Sequence, residues 1–322
     1  MWDGWRVDYS LSRRSWRDFF QPSTPITAKI IEKKFYLPLV VLPGGVLLAW
    51  ATVGHAWPRW VVMWLMAAAF FAGCKWLTWR AARPAGVAWW RQAAYLLLWP
   101  GLDAEAFLFQ GPEALNKRPT MATWLVAAIN LCLGIVLFWV VARQWPEDWW
   151  WARGWTGMTG FVLIAHCGLF QILSYLWQTV GIAARPFMDA PLCAKSVSEF
   201  WGRRWNTAFR DLAYRFLFRP LTQAWGPRRA LLAGFFFSGV VHELVVTVPA
   251  VGGYGGPTLF FSLQGVAILF ERSRAGQLLA LGQGFPGWLF VMLELAIMAN
   301  LAFAYPFVEN VVLPFMHACG AL

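Results

Sequence analysis

A chain of 322 residues that is 59% hydrophobic and only 13% charged is not a soluble globular domain, in which about a quarter of residues carry charge. Its 24 Trp and 26 Phe suit membrane interfaces. The net charge of +11, set in so much apolar sequence, argues against nucleic acid and for membrane topology, anionic lipid or phosphate-bearing substrates.

Residues 1–36 are mixed and basic, without the apolar core of a signal peptide, and read as a cytoplasmic N-terminal segment. The remainder, 37–322, reads as a single multi-span membrane domain. Apolar runs at 37–55, 60–79, 121–142, 157–183, 230–251, 257–271 and 287–308 are each near the roughly 20 residues a bilayer requires, the sixth being short. The patch at 87–102, broken by Arg91 and Pro100, reads as re-entrant or interfacial, with a full span as the alternative. The expected class is therefore an all-α polytopic membrane protein with about seven to nine transmembrane helices. An N-terminus rich in Lys and Arg, a first loop with Arg59 alone, and a second connection with Lys75, Arg80, Arg83 and Arg91 place the N-terminus in the cytoplasm.

The 184–229 connection holds nine basic and three acidic residues, a net +6. Within it, residues 205–220 carry apolar side chains at 205, 208, 209, 212, 213 and 216, the spacing of an amphipathic helix lying in the interface. Asn206 sits at the edge of its apolar face. Trp201 and Trp205 read as interfacial anchors.

The run from Ala230 to Val251 contains one charged residue, Glu243, next to His242. An ionised side chain at a helix centre costs roughly 2.5–3.5 kcal/mol on insertion scales, so such groups mark function by default. His242 is either a hydrogen-bonding group to a neighbouring helix or a general base, since its ordinary pKa leaves it largely neutral at cellular pH. Ser238, four residues earlier, shares its helix face. Val246 replaces the second His of a zinc HExxH motif, no GxSxG elbow occurs, and GGYGG (252–256) lacks the GK[ST] of a phosphate loop. The five cysteines show no metal spacing, so neither a metal nor a disulfide framework is expected. His166, Gln171, Ser174, Tyr175 and Gln178, with Asn130, read as inter-helix hydrogen-bonding groups or as the polar lining of a substrate tunnel.

SVSEFWGRRWN (196–206), the basic stretch to RPL (219–221) and FSGVVHEL (237–244) together resemble the wax synthase branch of the membrane-bound O-acyltransferase family. TLFFSLQGVAILFE (258–271) resembles the span that follows the histidine there, with Gln264–Gly265 where that branch often has His-Gly. The resemblance implies transfer of a fatty acyl group from acyl-CoA, a co-substrate, to the hydroxyl of a lipid-like alcohol, with no cofactor. It implies His242 as the catalytic histidine and Asn206 as its polar partner, orienting substrate or donating to the oxyanion. Arg203, Arg204, Arg210 and Arg215 become candidates for the phosphates of coenzyme A or for anionic headgroups. Ser238, Glu243 and Gln264 complete the expected substrate-binding set, Glu243 holding local packing or tuning the imidazole. The competing function is a transporter or lipid flippase with a polar intramembrane path; no recurring pair of Gly/Pro-broken spans supports it. The preference for Arg, 21 against 6 Lys, suggests a GC-rich genome and so a bacterial inner membrane, the endoplasmic reticulum being the eukaryotic counterpart.

Overall fold

The structure, a computed structural model, describes residues 36–52, 56–115 and 118–322. The N-terminal segment expected at 1–36 lies, but for Tyr36, outside the described residues. The protein is an all-α polytopic membrane protein; among the described residues there is no strand. Its main helices in chain order are α1 (Pro38–Thr52), α2 (Arg59–Ala82), α3 (89–98), α4 (Ala104–Phe109), α5 (Met121–Gln144) and α6 (Glu147–Thr179). There follow α7 (197–204), α8 (207–225), α9 (Pro227–Ala250), α10 (Gly256–Glu271), α11 (Gly284–Ala302) and α12 (305–318).

Five of these, α2, α5, α6, α9 and α11, are long and apolar enough to cross a membrane. The first and sixth expected spans are the shorter apolar helices α1 and α10, of 15 and 16 residues. At 1.5 Å per residue they reach about 22–24 Å, short of the roughly 30 Å hydrocarbon core. Two boundaries differ from expectation. The fourth span begins not at 157 but ten residues earlier, because the Trp-rich stretch from 149 continues the helix although its hydropathy is low. The last does not run to 308: α11 stops at Ala302, and Pro306, which lacks an N–H, sits at the start of α12 instead. The terminal helix then docks on α6, with Met316 against Gly157, and Arg143 donates to the carbonyls of Gly320 and Ala321.

The patch at 87–102 does not form a helix long enough to cross. Its helix, α3, is ten residues long and gives way to extended chain at Trp99 before α4 begins at the Asp103 cap. That break frees backbone carbonyls, and Lys75 satisfies them. Its Nζ donates to Tyr95 O and Gly101 O, both at 2.6 Å, and lies 3.5 Å over the Tyr95 ring. Lys75 is thus not a topogenic loop charge: it is 3% exposed, inside α2. Arg91 is likewise engaged, donating to Phe107 O and Gln110 O at 2.8 Å each. On α6, Gln178 and Ser174 donate to Ala184 O and Gln171 to Met188 O. Gln171, Ser174 and Gln178 thereby hold the 182–188 connection in place.

Replacing Lys75 with Met should lower the thermal midpoint in detergent, since each buried carbonyl left unpaired costs about 1–3 kcal/mol. Intrinsic tryptophan fluorescence during heating provides the measurement, and an unchanged midpoint would contradict this role for Lys75.

Candidate active site

The site is built on four elements: α7, the turn into α8, the second half of α9, and α10. Ser196 starts α7 by accepting from Glu199 N at 2.8 Å, and Glu199 in return accepts from Lys195 N at 2.8 Å. A second carboxylate completes this N-terminus. Glu271, at the far end of α10, accepts from Val197 N (2.7 Å) and Ser198 N (3.0 Å) and binds the Ser198 hydroxyl. Sequence reading missed Glu271, although its place in an otherwise apolar run carries the same signal as Glu243.

α7 ends in a π-helical turn over Phe200–Arg204. Trp201 projects from it into the core, against Phe235 of α9 and Phe260 and Phe261 of α10, at ring separations of 6.0, 6.3 and 5.5 Å. It is therefore a packed wedge, not an interfacial anchor, and its Nε1 donates to Gln264 Oε1 at 2.8 Å. Trp205 stacks on Phe200 at 5.4 Å and joins the same core.

Asn206 adopts the left-handed conformation, φ 43° and ψ 58°. Asn tolerates that region better than most residues, which is a backbone reason for its presence there. Its carbonyl accepts from Arg210 N, beginning α8, and its N–H faces Met188 Sδ at 3.5 Å. The next residue pins the turn: Thr207 donates through N and Oγ1 to Phe187 O and Pro186 O. α8 runs where the amphipathic helix was expected. It packs into protein at both ends, Ala208 and Leu212 against one core cluster and Tyr214, Phe218 and Leu221 against another.

α9 starts at Gly226–Pro227 and crosses close to α10. At Gly239 a Cβ would lie 2.6 Å from Thr258 Cα, so only glycine permits the approach. Three residues on is His242. Its Nδ1 is 2.8 Å from Ser238 O. A carbonyl oxygen only accepts, so Nδ1 carries the proton and Nε2 keeps its lone pair. The ring rests on Phe261, with centroids 4.3 Å apart. Ser238 thus contributes through its main chain, and His242 bonds within its own helix rather than to a neighbour. Beyond it, residues 243–247 form a π-helical turn. Glu243 has both oxygens engaged: Oε2 accepts from Thr247 Oγ1 at 2.6 Å, and Oε1 from Thr258 N at 3.0 Å. It caps α10 from outside.

The structure thus brings His242, Glu243, Gln264 and Trp201 together around the first half of α10. Among the described residues, no hydrogen bond joins Asn206 to His242. Three of the four candidate arginines have internal partners. Arg204 binds Glu199 and the carbonyls of Asp189 and Ala190. Arg210 binds Asp211 and Gly202 O, and Arg215 donates to Glu105 at 2.6 Å. Arg203 is exposed, as are Arg228 and Arg229 at the start of α9. Burial raises the Asp211 carboxyl above its ordinary value, against the pull of Arg210. Burial pushes Glu199 the same way, but the Lys195 N–H and the Arg203 and Arg204 charges outweigh it and hold Glu199 below its ordinary value.

Residues 184–263, which include Asn206, Ser238, His242 and Glu243, match the model of the Membrane bound O-acyl transferase family. Over 103 residues the chain is 33% identical to a probable long-chain-alcohol O-fatty-acyltransferase 8 of Arabidopsis thaliana, covering 29% of this chain and 31% of that protein. Against the long-chain-alcohol O-fatty-acyltransferase of Simmondsia chinensis it is 31% identical over 74 residues, 20% and 21% of the two chains. A longer stretch of 179 residues is 27% identical to the probable long-chain-alcohol O-fatty-acyltransferase 1 of Arabidopsis thaliana, 49% and 48% of the two. The chain thus spans about a third of the first of these relatives, and the resemblance read from the motifs is borne out over that stretch.

Removing the Glu271 carboxylate (Glu271→Ala) should destabilise the fold by about 1–2 kcal/mol, as for loss of a helix cap, read from the thermal midpoint. For Glu199 the pH dependence has a definite sign. Its folded pKa is depressed, so its contribution is full above the ordinary glutamate value and disappears as pH falls through the lower folded value. The gap in midpoint between wild type and Glu199→Gln should therefore close on acidification below about pH 4.

Proposed function

We propose that the protein transfers a fatty acyl group from acyl-CoA to the hydroxyl of a lipid-like alcohol, with His242 as general base. One observation carries the reading: the main-chain oxygen of Ser238 holds the His242 proton on Nδ1, which leaves Nε2 as a basic nitrogen within an apolar bundle. The family match and the names of the relatives support the reaction class.

In this reading Nε2 takes the proton of the alcohol as its oxygen attacks the thioester carbonyl. The tetrahedral oxyanion collapses, the carbon–sulfur bond breaks, and the imidazolium returns its proton to the departing thiolate. No covalent enzyme intermediate is required. The surrounding aromatic side chains exclude water, which would otherwise compete as acceptor. Glu243, with both oxygens engaged, holds α10 in place rather than exchanging protons. Near the site, the exposed guanidiniums of Arg203, Arg228 and Arg229 are available as donors to the phosphates of coenzyme A. Asn206 orients the substrate or donates to the oxyanion through its side chain. For a bacterial source, which the preference for Arg over Lys suggests, the membrane is the inner membrane; for a eukaryotic source it is the endoplasmic reticulum.

Membranes carrying His242→Ala should form ester from labelled acyl-CoA and long-chain alcohols roughly 10²- to 10⁴-fold more slowly, the usual worth of a general base. Ester synthesis at the wild-type rate would sink the assignment. Asn206→Gly separates backbone from side chain, because glycine accepts the left-handed turn. With an amide acting on the oxyanion, its rate should fall roughly 10²- to 10³-fold. Full activity would leave Asn206 as a turn residue alone.

A further inference from the structure

Glu294 is the only charged residue of α11 and is 6% exposed. None of the chemistry or capping above uses it. Its Oε1 accepts from Gln264 Nε2, while Oε2 is buried with no hydrogen-bond partner, so among the described residues this carboxyl bonds to Gln264 alone. Such a group is costly in a membrane interior and calls for an explanation. Gln264 is itself 0% exposed and bonds on its other side to Trp201. An indole N–H can only donate, so the Gln264 oxygen must face Trp201 and its NH₂ must face Glu294. The amide has one orientation, and Glu294 is the group that holds it. From Trp201 the contacts continue to Phe261 at 5.5 Å, and from Phe261 to His242 at 4.3 Å. Leu295 and Met298, on the same helix as Glu294, pack into this aromatic cluster.

We propose that Glu294 is a positioning residue for acyl transfer. Through Gln264 it fixes the Trp201 ring, and through Trp201 and Phe261 it sets the seat of the His242 imidazole. This rests on the acyl-transfer reading above. Sequence reading missed Glu294, although a single carboxylate in the 287–308 run is the same anomaly as Glu243.

The test measures kcat and KM for acyl-CoA in the purified full chain, for wild type, His242→Ala, Glu294→Leu, Glu294→Gln, Trp201→Phe and the double variant Glu294→Leu/Trp201→Phe. Glu294→Leu removes the acceptor and should lower kcat about tenfold, the worth of one buried hydrogen bond. KM should stay within roughly twofold, because substrate binding is not touched. Glu294→Gln keeps an acceptor oxygen for Gln264 and should restore kcat to within about twofold of wild type. Trp201→Phe removes the indole donor without altering the buried carboxyl, so it reads the relay even where Glu294→Leu fails to fold; it too should lower kcat. The double variant should be no slower than the slower single, as expected of residues acting through one chain of contacts. Normal kcat in Glu294→Leu or Trp201→Phe, Glu294→Gln as slow as Glu294→Leu, or additive losses in the double variant would each overturn the proposal. A wild type that makes no ester overturns the acyl-transfer reading itself. An active wild type and inactive His242→Ala with a normal Glu294→Leu overturn this inference alone.

Discussion

The arrangement of the site depends on the bond from the Glu243 carboxylate to the amide of Thr258. The first N–H groups of a helix have no partner within it and carry a partial positive charge, so an anion placed there is stabilised where it would otherwise be costly. α9 supplies that anion to α10, and the absent side chain at Gly239 lets the two helices close to the distance this bond needs. Once α10 is fixed at its start, Phe261 falls under the imidazole and Gln264 under Trp201. At its other end α10 returns the same service, Glu271 capping α7 and so locating Trp201 from the opposite side. A helix of 16 residues is thus tied through carboxylates at both ends, to α9 at one and α7 at the other.

Adjacent residues divide the labour because of where helix geometry sends them. His242 turns to the carbonyl one helical turn earlier in its own helix, and Glu243 turns across to α10. The charged member of the pair is locked into structure, and the neutral one retains a lone pair. Lys75 and Glu243 are two versions of the same solution: an ionisable side chain within the bundle is accommodated by serving backbone groups that a broken or beginning helix leaves unpaired.

Much of the class was legible from hydropathy, because a bilayer imposes a length and a composition on anything that crosses it. The positions of α2, α5 and α9 followed from their apolar runs to within a few residues, and His242 with Glu243 stood out as the polar exception in theirs. What hydropathy could not show was which charges face the protein. Lys75 was counted among loop residues because a sequence window does not contain the carbonyls of Tyr95 and Gly101, which lie 20 and 26 residues away. The same holds for Glu271, whose partners precede it by 73 and 74 residues. Trp201 illustrates the converse: its composition signal is that of a membrane interface, while its place is fixed by three phenylalanines on two other helices. The arginines of the basic connection also read as free cations until Glu105, Asp211 and Glu199 are seen beside them.

The orientation of the imidazole has a consequence for how this sequence can drift. Because the partner of Nδ1 is the peptide oxygen at position 238 and not the serine hydroxyl, the side chain there is free to vary while the tautomer is inherited unchanged. Any residue compatible with the helix would present the same oxygen, so divergence at 238 leaves the tautomer unchanged, whereas a proline that broke the turn near 242 would erase it. What is passed down at this point is a backbone conformation, and the letters that spell it are interchangeable.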